Sequence, residues 1–159
     1  MKAICIAAVL AASMPGFGCA SDIPLVSDTL SSLSLTRETD DEAIARVLDD
    51  VHRGMETKRI YRVLAHVSRT YRDAEGRDYG AMEMYLNDLF RRYRDIRIDR
   101  GRPRIVVQGD KARVIEAFGS TGDPLPGSAD LPLNIQGQVS VYMEKIGGAW
   151  QIVEWGNLN

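Results

Sequence analysis

Apolar residues recur every three or four positions over residues 40–55, which is typical of a helix that buries one face. This first stripe consists of Ile44, Val47, Leu48, Val51 and Met55. Thr39 followed by Glu42 predicts a capping box at the start of the helix, because each side chain can bind the backbone N–H of the other. The pattern therefore predicts an amphipathic helix, and His52 is expected on its polar face.

Two further stripes predict two more helices. Thr57 is the expected cap of a short second helix, and Asp78 is the expected cap of a third. The inward residues of the second helix are Ile60, Val63, Leu64 and Val67. Those of the third helix are Met82, Tyr85, Leu86, Leu89, Phe90 and Tyr93. The third set follows the i, i+3, i+4, i+7 spacing of a helix with one apolar face.

After residue 93 the apolar period falls from about four to two, which indicates strands. Strands are predicted around residues 96–98, 105–108, 112–119, 136–146 and 150–155, with turns at 109–110 and 147–148 and a Gly/Pro-rich loop over 121–132. Trp150 and Ile152 are expected on one face of the last strand, and Val153 and Trp155 on the other. Both faces of the sheet would then be covered. Helices followed by a meander of strands predict an α+β architecture.

Residues 1–18 have the pattern of a secretory signal peptide, with Lys2 before an apolar run over residues 4–14. Gly18-Cys19 resembles a bacterial lipobox, which predicts lipidation of Cys19 and anchoring in the outer membrane. The alternative is cleavage after Ala20, which gives a soluble periplasmic or secreted protein. Residues 19–38 are then expected to form a tether, or alternatively to pack along the domain edge through Leu30, Leu33 and Leu35, and residues 39–159 form the domain.

Composition and charge narrow the classes of function. The 159 residues carry a formal net charge of −2, which argues against nucleic acid as a partner. Two histidines and two cysteines form no metal-ligand set, and no P-loop or dinucleotide-binding glycine pattern is present, so we expect neither a metal nor a cofactor. Seven arginines lie between residues 91 and 104. They predict either a patch for anionic lipid headgroups or a solvated edge strand.

Tyr71-Arg72-Asp73 followed by Gly76, an amphipathic helix and strands that end in Gly-Gly-x-Trp-x-Ile resemble the NTF2-like (SnoaL-like) superfamily over residues 40–156. The resemblance implies an α+β cone in which three N-terminal helices pack on a curved antiparallel sheet of about four long strands. It also implies a ligand pocket inside the cone and a homodimer that pairs through the sheet. The superfamily includes isomerases, dehydratases and non-catalytic binding domains, so the fold does not select a function.

Three ionisable residues are candidates for acid–base chemistry in such a pocket. Strand alternation puts Glu116 on a face with apolar neighbours, where burial would raise its pKa, and the alternative is a kink that turns it outward. Asp73 is either an acid near the pocket mouth, as the resemblance implies, or a turn residue. His66 is either an acid or base on the second helix or a half-buried structural histidine.

Four aromatic residues are expected to contact a ligand or, alternatively, to pack in the core: Tyr61, Tyr71, Tyr85 and Phe118. The leading hypothesis is an exported, lipid-anchored, non-catalytic domain that binds a small apolar ligand or a protein partner. One alternative is a cofactor-free acid–base enzyme of the isomerase or dehydratase type, and another is a structural dimerisation module. Ionisable side chains that converge inside the cone would favour the enzyme.

Overall fold

Three helices precede five strands along the part of the chain for which the structure is described. The computed structural model describes the backbone of residues 38–158 and the side chains of residues 38–156. The predicted signal peptide, the predicted lipidation at Cys19 and nearly all of the predicted tether lie outside these residues. Within them, no helix is both long enough and apolar enough to cross a membrane.

The helices begin where their capping residues predict. They are α1 (Asp40–Glu56), α2 (Ile60–Leu64) and α3 (Tyr79–Arg92). The capping box of α1 is confirmed, since the Thr39 N–H donates to Glu42 Oε2 over 2.8 Å and the Glu42 N–H donates to Thr39 Oγ1 over 3.3 Å. Asp78 caps α3 by accepting the Ala81 N–H at 2.9 Å, as predicted.

Thr57 ends the first helix instead of beginning the second. Its hydroxyl donates to the Arg53 carbonyl over 2.6 Å, and the next residue, Lys58, has a left-handed backbone with φ of 56°. The cap position of α2 is Arg59, which makes no capping bond with its side chain. The prediction that Thr57 caps the second helix is therefore wrong.

The strands form one antiparallel sheet. They are β1 (Tyr93–Arg100), β2 (Arg104–Gln108), β3 (Lys111–Pro124), β4 (Leu133–Ile146) and β5 (Ala149–Leu158). β4 pairs along one edge of β3, and β1 and β2 follow one another along its other edge, which gives the order β1-β3-β4-β5. The predicted sheet of about four long strands is confirmed, with β1 and β2 sharing one position. The predicted loop over 121–132 begins too early, because β3 continues to Pro124 opposite β1.

A bulge in β5 changes which of its side chains face the core. The pairing of β4 with β5 shifts by one residue at Val153. Beyond such an extra residue the alternation of faces is reversed. Trp150 and Ile152 are buried, and Trp155 packs against the same core cluster. The expectation that Val153 and Trp155 share the outer face is therefore wrong, and it does not support a sheet covered on both sides.

The core lies between α1, α2 and the concave face of the sheet. Its most completely buried apolar residues are Ile44, Leu48, Val51, Tyr71, Leu86, Val114, Val141, Met143 and Ile152. α1 contributes four fully or nearly fully buried apolar side chains, whereas α3 contributes only Leu86 among the described residues. The other apolar side chains of the α3 stripe are only partly covered. This looser packing of α3 leaves a cavity beneath it.

Candidate ligand-binding site

A cavity of about 280 Å³ lies between the three helices and the concave face of the sheet. Small-molecule sites typically begin at about 300 Å³, so this volume lies just below their usual range and suits only a small ligand. Most of the wall is aliphatic or aromatic: Val51, Met55, Val63, Val67, Met82, Leu86, Leu89, Ile98, Phe118, Leu133, Ile135, Val139, Ile152 and Trp155. The polar wall groups come from His52, Tyr71, Arg77, Tyr85 and Ser120. The wall thus suits a compact, mainly apolar molecule.

A second depression, of about 540 Å³, lies between β1, β3 and β4. It is more open to solvent and is lined by charged and polar side chains, which include Asp95, Arg97 and Asp123. Although its volume is larger, it offers little apolar enclosure to a ligand. The cavity under the helices is the better candidate because burial of apolar surface drives most small-molecule binding.

His52 brings an ionisable ring into the cavity wall. It lies four residues after Leu48 and eight after Ile44 and therefore belongs to the buried face of α1. Its ring packs edge-on against Trp155, with ring centroids 6.3 Å apart. Burial, and after it the neighbouring Arg100 charge, lowers the pKa of His52 to about 4. The expectation that His52 lies on the polar face is wrong, and the ring is neutral at neutral pH.

Glu116 is a buried carboxyl group beside His52. It is 1% exposed, and neither of its carboxylate oxygens has a hydrogen-bond partner among the described residues. Glu116 Oε2 is 3.9 Å from His52 Nε2, and Glu116 Oε1 is 3.5 Å from Arg100 Nε. Burial raises the pKa of Glu116, Arg100 opposes this effect, and Asp49 adds to it. The strand therefore does not turn Glu116 outward.

Arg100 joins this cluster from β1. Its guanidinium group donates to His52 Nδ1 over 2.6 Å and also to Asp49. A guanidinium group has donors and no acceptor, so Nδ1 accepts and the proton of the neutral His52 ring lies on Nε2, towards Glu116. Arg100 shares strand parity with the inward Ile96 and Ile98, and this alternation could have indicated its direction.

A second polar group surrounds Asp73. The Asp73 carboxylate accepts from Arg77 Nε over 2.6 Å and from the Arg77 backbone N–H over 2.8 Å, and the Tyr71 hydroxyl donates to it over 3.5 Å. Burial raises the pKa of Asp73, but the bonds from Arg77 outweigh this effect and the net pKa is lowered. Backbone bonds from Ser68 to Ile152 and from Arg72 to Val153 hold this segment along β5. Asp73 is thus both a turn residue and a buried acid, behind the cavity wall.

Not all of the predicted site residues meet at the cavity. Tyr71, Tyr85 and Phe118 line it. Tyr61 is outside the lining and 79% exposed, which contradicts the expectation that it contacts a ligand. His66 is also outside the lining, because it is bound to Asp50 at 2.9 Å on the outer side of α1 and α2. His66 therefore does not meet the other candidate residues at the cavity.

The seven arginines do not form one surface. Arg92 is paired with Asp88 and Asp130, Arg97 borders the open depression, and Arg100 points into the protein. Since consecutive strand residues face opposite sides, a run of like charges is divided between the faces. The dispersion favours a solvated edge strand over a single anion-binding patch.

No family model matches the chain, and no curated protein matches it. Several solved structures, in contrast, are similar to it. A protein assigned as a scytalone dehydratase from Novosphingobium aromaticivorans superposes with a TM-score of 0.64 at 15% identity, over 75% of this chain and 84% of that one. The hexachlorocyclohexane dehydrochlorinase LinA-type3 from Novosphingobium barchaimii superposes with a TM-score of 0.62 at 16% identity, over 74% of this chain and 84% of that one. Bd1075 of Bdellovibrio bacteriovorus superposes with a TM-score of 0.63 at 16% identity over 72% of this chain. The matched part spans only 40% of the length of Bd1075. At such identities the likeness shows the fold alone, and the chain has the NTF2-like α+β cone fold.

Proposed function

We propose that this protein binds a small, largely apolar molecule in the cavity beneath α3. The observation that carries the proposal is the partly enclosed volume of about 280 Å³ with a mainly apolar wall. A protein interior is normally packed with few voids larger than a water molecule, so a volume of this size needs an explanation. Tyr85 and Ile135 lie at the wall and are 47% exposed, which supports an opening to solvent between α3 and the start of β4.

The test is binding of 2-ethylnaphthalene, a compact apolar fluorescent probe, to the purified protein and to two variants. Ile98→Trp fills part of the cavity and should weaken binding at least about tenfold, because indole occupies the volume that the probe needs. Ile146→Trp is the matched control, since Ile146 is an exposed strand residue outside the lining. Equal affinity of the two variants, at equal melting temperatures, would contradict the proposal.

Acid–base catalysis is a second candidate function, and one observation favours it. His52 and Arg100 lie within 4 Å of the buried Glu116 carboxylate, whose oxygens are not hydrogen-bonded. Perturbed ionisable groups of this kind concentrate at catalytic sites. However, Glu116 is sealed from the cavity and both His52 nitrogens face other side chains. Proton transfer to a ligand would require side-chain rotation, and for this reason binding is the first proposal.

Deuterium exchange tests the catalytic candidate. 2-Acetylnaphthalene has exchangeable C–H bonds next to its carbonyl group, and its uptake of deuterium from D₂O can be followed by mass spectrometry. A catalytic Glu116 predicts exchange above the buffer rate that is lost in Glu116→Gln and kept in Glu154→Gln, a half-buried glutamate outside the lining. Exchange at the buffer rate with the unaltered protein would contradict catalysis on this class of compound.

A further inference from the structure

The cavity wall is close to electrically neutral. Arg77 is the one charged residue among the described lining residues at neutral pH, since the low pKa of His52 leaves its ring uncharged. Arg77 Nε is 2.6 Å from Asp73 and its Nη2 is 3.1 Å from Glu75, so its charge is already balanced. An anionic ligand would approach these two carboxylates, and a cationic ligand would approach the guanidinium group. The wall therefore favours an uncharged ligand.

The same wall offers hydrogen-bond donors and few free acceptors. Asp73 already accepts two short bonds from Arg77, and His52 Nδ1 accepts from Arg100. The Tyr71 hydroxyl is different, because its bond to Asp73 is 3.5 Å long and is thus weak. Tyr71 is 2% exposed and lines the cavity, and burial raises its pKa, so the hydroxyl keeps its proton. The hydroxyl proton is thus held at Asp73 by a long, weak bond.

Arg77 lies beside Tyr71 in the wall. Its Nε and Nη2 groups are bound to carboxylates, and its Nη1 group makes no hydrogen bond to the residues described. Its guanidinium carbon is 5.8 Å from the centre of the Tyr85 ring, which is also in the wall. Tyr71 and Arg77 thus place two donor side chains next to each other, both bonded to Asp73 Oδ2, in a mainly apolar wall.

We infer that the ligand is a neutral, largely apolar molecule with an acceptor oxygen, such as a carbonyl group, that Tyr71 and Arg77 bind. The inference rests on the proposed function, because it names the class of molecule that the same cavity would take. Apolar area supplies most of the affinity, and the two donors determine the orientation of the ligand and select it over hydrocarbons of equal size.

Two probes with the same ring system test the inference. 2-Acetylnaphthalene carries a carbonyl oxygen that 2-ethylnaphthalene lacks, and the dissociation constants of both can be measured by ligand fluorescence. We expect the ketone to bind about fivefold more tightly or better, which corresponds to one hydrogen bond of about 1 kcal/mol. Tyr71→Phe should reduce this preference, measured as the ratio of the two dissociation constants, because the ratio cancels any effect of the variant on binding of the shared ring system. Tyr79→Phe is the matched control, because Tyr79 stacks on Arg69 outside the lining.

A second variant protects the test against misfolding. Arg77→Met alone leaves the buried Asp73 without its cation, so Asp73→Asn/Arg77→Met is used, and it should also reduce the ketone preference. Equal affinities of the unaltered protein for ketone and hydrocarbon would overturn the inference while the proposed function stands. Tighter binding of 2-naphthoate than of the ketone would overturn the requirement for a neutral ligand. Binding of neither neutral probe would overturn both proposals.

Discussion

Glu116 holds a carboxyl group in surroundings that disfavour its charge. Its neighbours on β3 and β4 are apolar, and Arg100 approaches without making a hydrogen bond to it. A buried carboxylate with unbonded oxygens is destabilising, so the protein keeps this residue against its own stability. For His52 the pKa shift has the opposite direction, since burial makes protonation of the ring unfavourable and lowers its pKa. The two residues therefore impose opposite pH dependences on folding.

Replacement of the carboxyl group should reveal its effect on stability. Because the folded-state pKa of Glu116 is raised above 4.5, its contribution destabilises the protein once the pH exceeds the unfolded value. Glu116→Gln should be neutral or stabilising at pH 7, and the gain should shrink as the pH falls towards about 4.5. Urea unfolding across this range checks the prediction, with Glu154→Gln as control. Unfolding curves of Glu116→Gln that match those of the unaltered protein at every pH would show that Glu116 is solvated.

His52 should remain neutral well below the usual range of a histidine. Its folded pKa of about 4 lies under the unfolded value of about 6.5, so the unfolded state takes the proton first as the pH falls. Stability contributed by neutral His52 is therefore lost between about pH 6.5 and pH 4. NMR titration of the His52 ring carbons measures this directly. A midpoint near pH 6.5 would place the ring in solvent.

The sequence predicts the inward direction of some of these side chains better than that of others. Alternation along β3 correctly indicates the inward direction of Glu116, because β3 pairs with β4 there without a bulge. His52 and Arg100 follow the same periodic rule, but the polarity of His52 suggested an outer face, and Arg100 was considered only as one of the seven arginines between residues 91 and 104. Their burial depends on partners that are 48 and 51 residues distant in the chain, namely Arg100 for His52 and Asp49 for Arg100. Periodicity predicts on which face of an element a side chain lies, whereas contacts between residues so distant in the sequence can be seen only in the folded protein.

The contrast between α1 and α3 explains where the cavity lies. Both helices begin at predicted caps and carry apolar stripes. Most of the α1 stripe is buried in the core and only its end, at Val51 and Met55, reaches the cavity. Met82, Tyr85 and Leu89 of α3 face the cavity. An apolar stripe at helical spacing predicts which face of the helix is shielded from solvent. It does not predict whether that face packs against a core or around a ligand. For this reason the helices were predictable from the apolar pattern, whereas the cavity was expected only from the resemblance.

The first part of β5 should contribute strongly to stability. Trp150 is 3% exposed, and its indole N–H donates to Asp40 over 3.0 Å at the start of α1. Trp150→Ala should lower the free energy of unfolding by about 3–5 kcal/mol, as is usual when a core aromatic side chain is removed. Thermal and chemical denaturation check the value, and Ile146→Ala, at an exposed strand position, should cause a clearly smaller loss. An unchanged melting temperature of Trp150→Ala would contradict the burial of this ring.

Bulges limit what alternation can predict in the sheet. The extra residue at Val153 in β5 and the irregularity between Arg94 and Arg97 in β1, where Asp95 has φ of 51°, each reverse the pattern of faces. Neither position carries a glycine or proline that would indicate a bulge in the sequence. The strands themselves were predicted from their period, but the direction of Trp155 depends on pairing with β4.

We also propose that the protein is exported and held at a membrane by a lipid on Cys19. The proposal stands on the signal-like pattern of residues 1–18 and on Gly18-Cys19, which precede the residues that the structure describes. Cys19→Ser should move the protein from the membrane fraction to the soluble fraction, because the acyl chains would supply the membrane affinity. Intact-mass analysis that shows an unmodified chain beginning at Ser21 would contradict the anchor.

Methyl NMR tests most directly whether the cavity beneath α3 takes up a ligand. Methyl groups of Met55, Met82, Ile98, Ile135 and Ile152 line the cavity, whereas those of Met84, Ile115 and Ile146 do not. During titration with 2-acetylnaphthalene, we expect saturable shifts, at a single dissociation constant, in the first set and almost none in the second. Shifts that never saturate, or that are confined to the second set, would contradict uptake in this cavity.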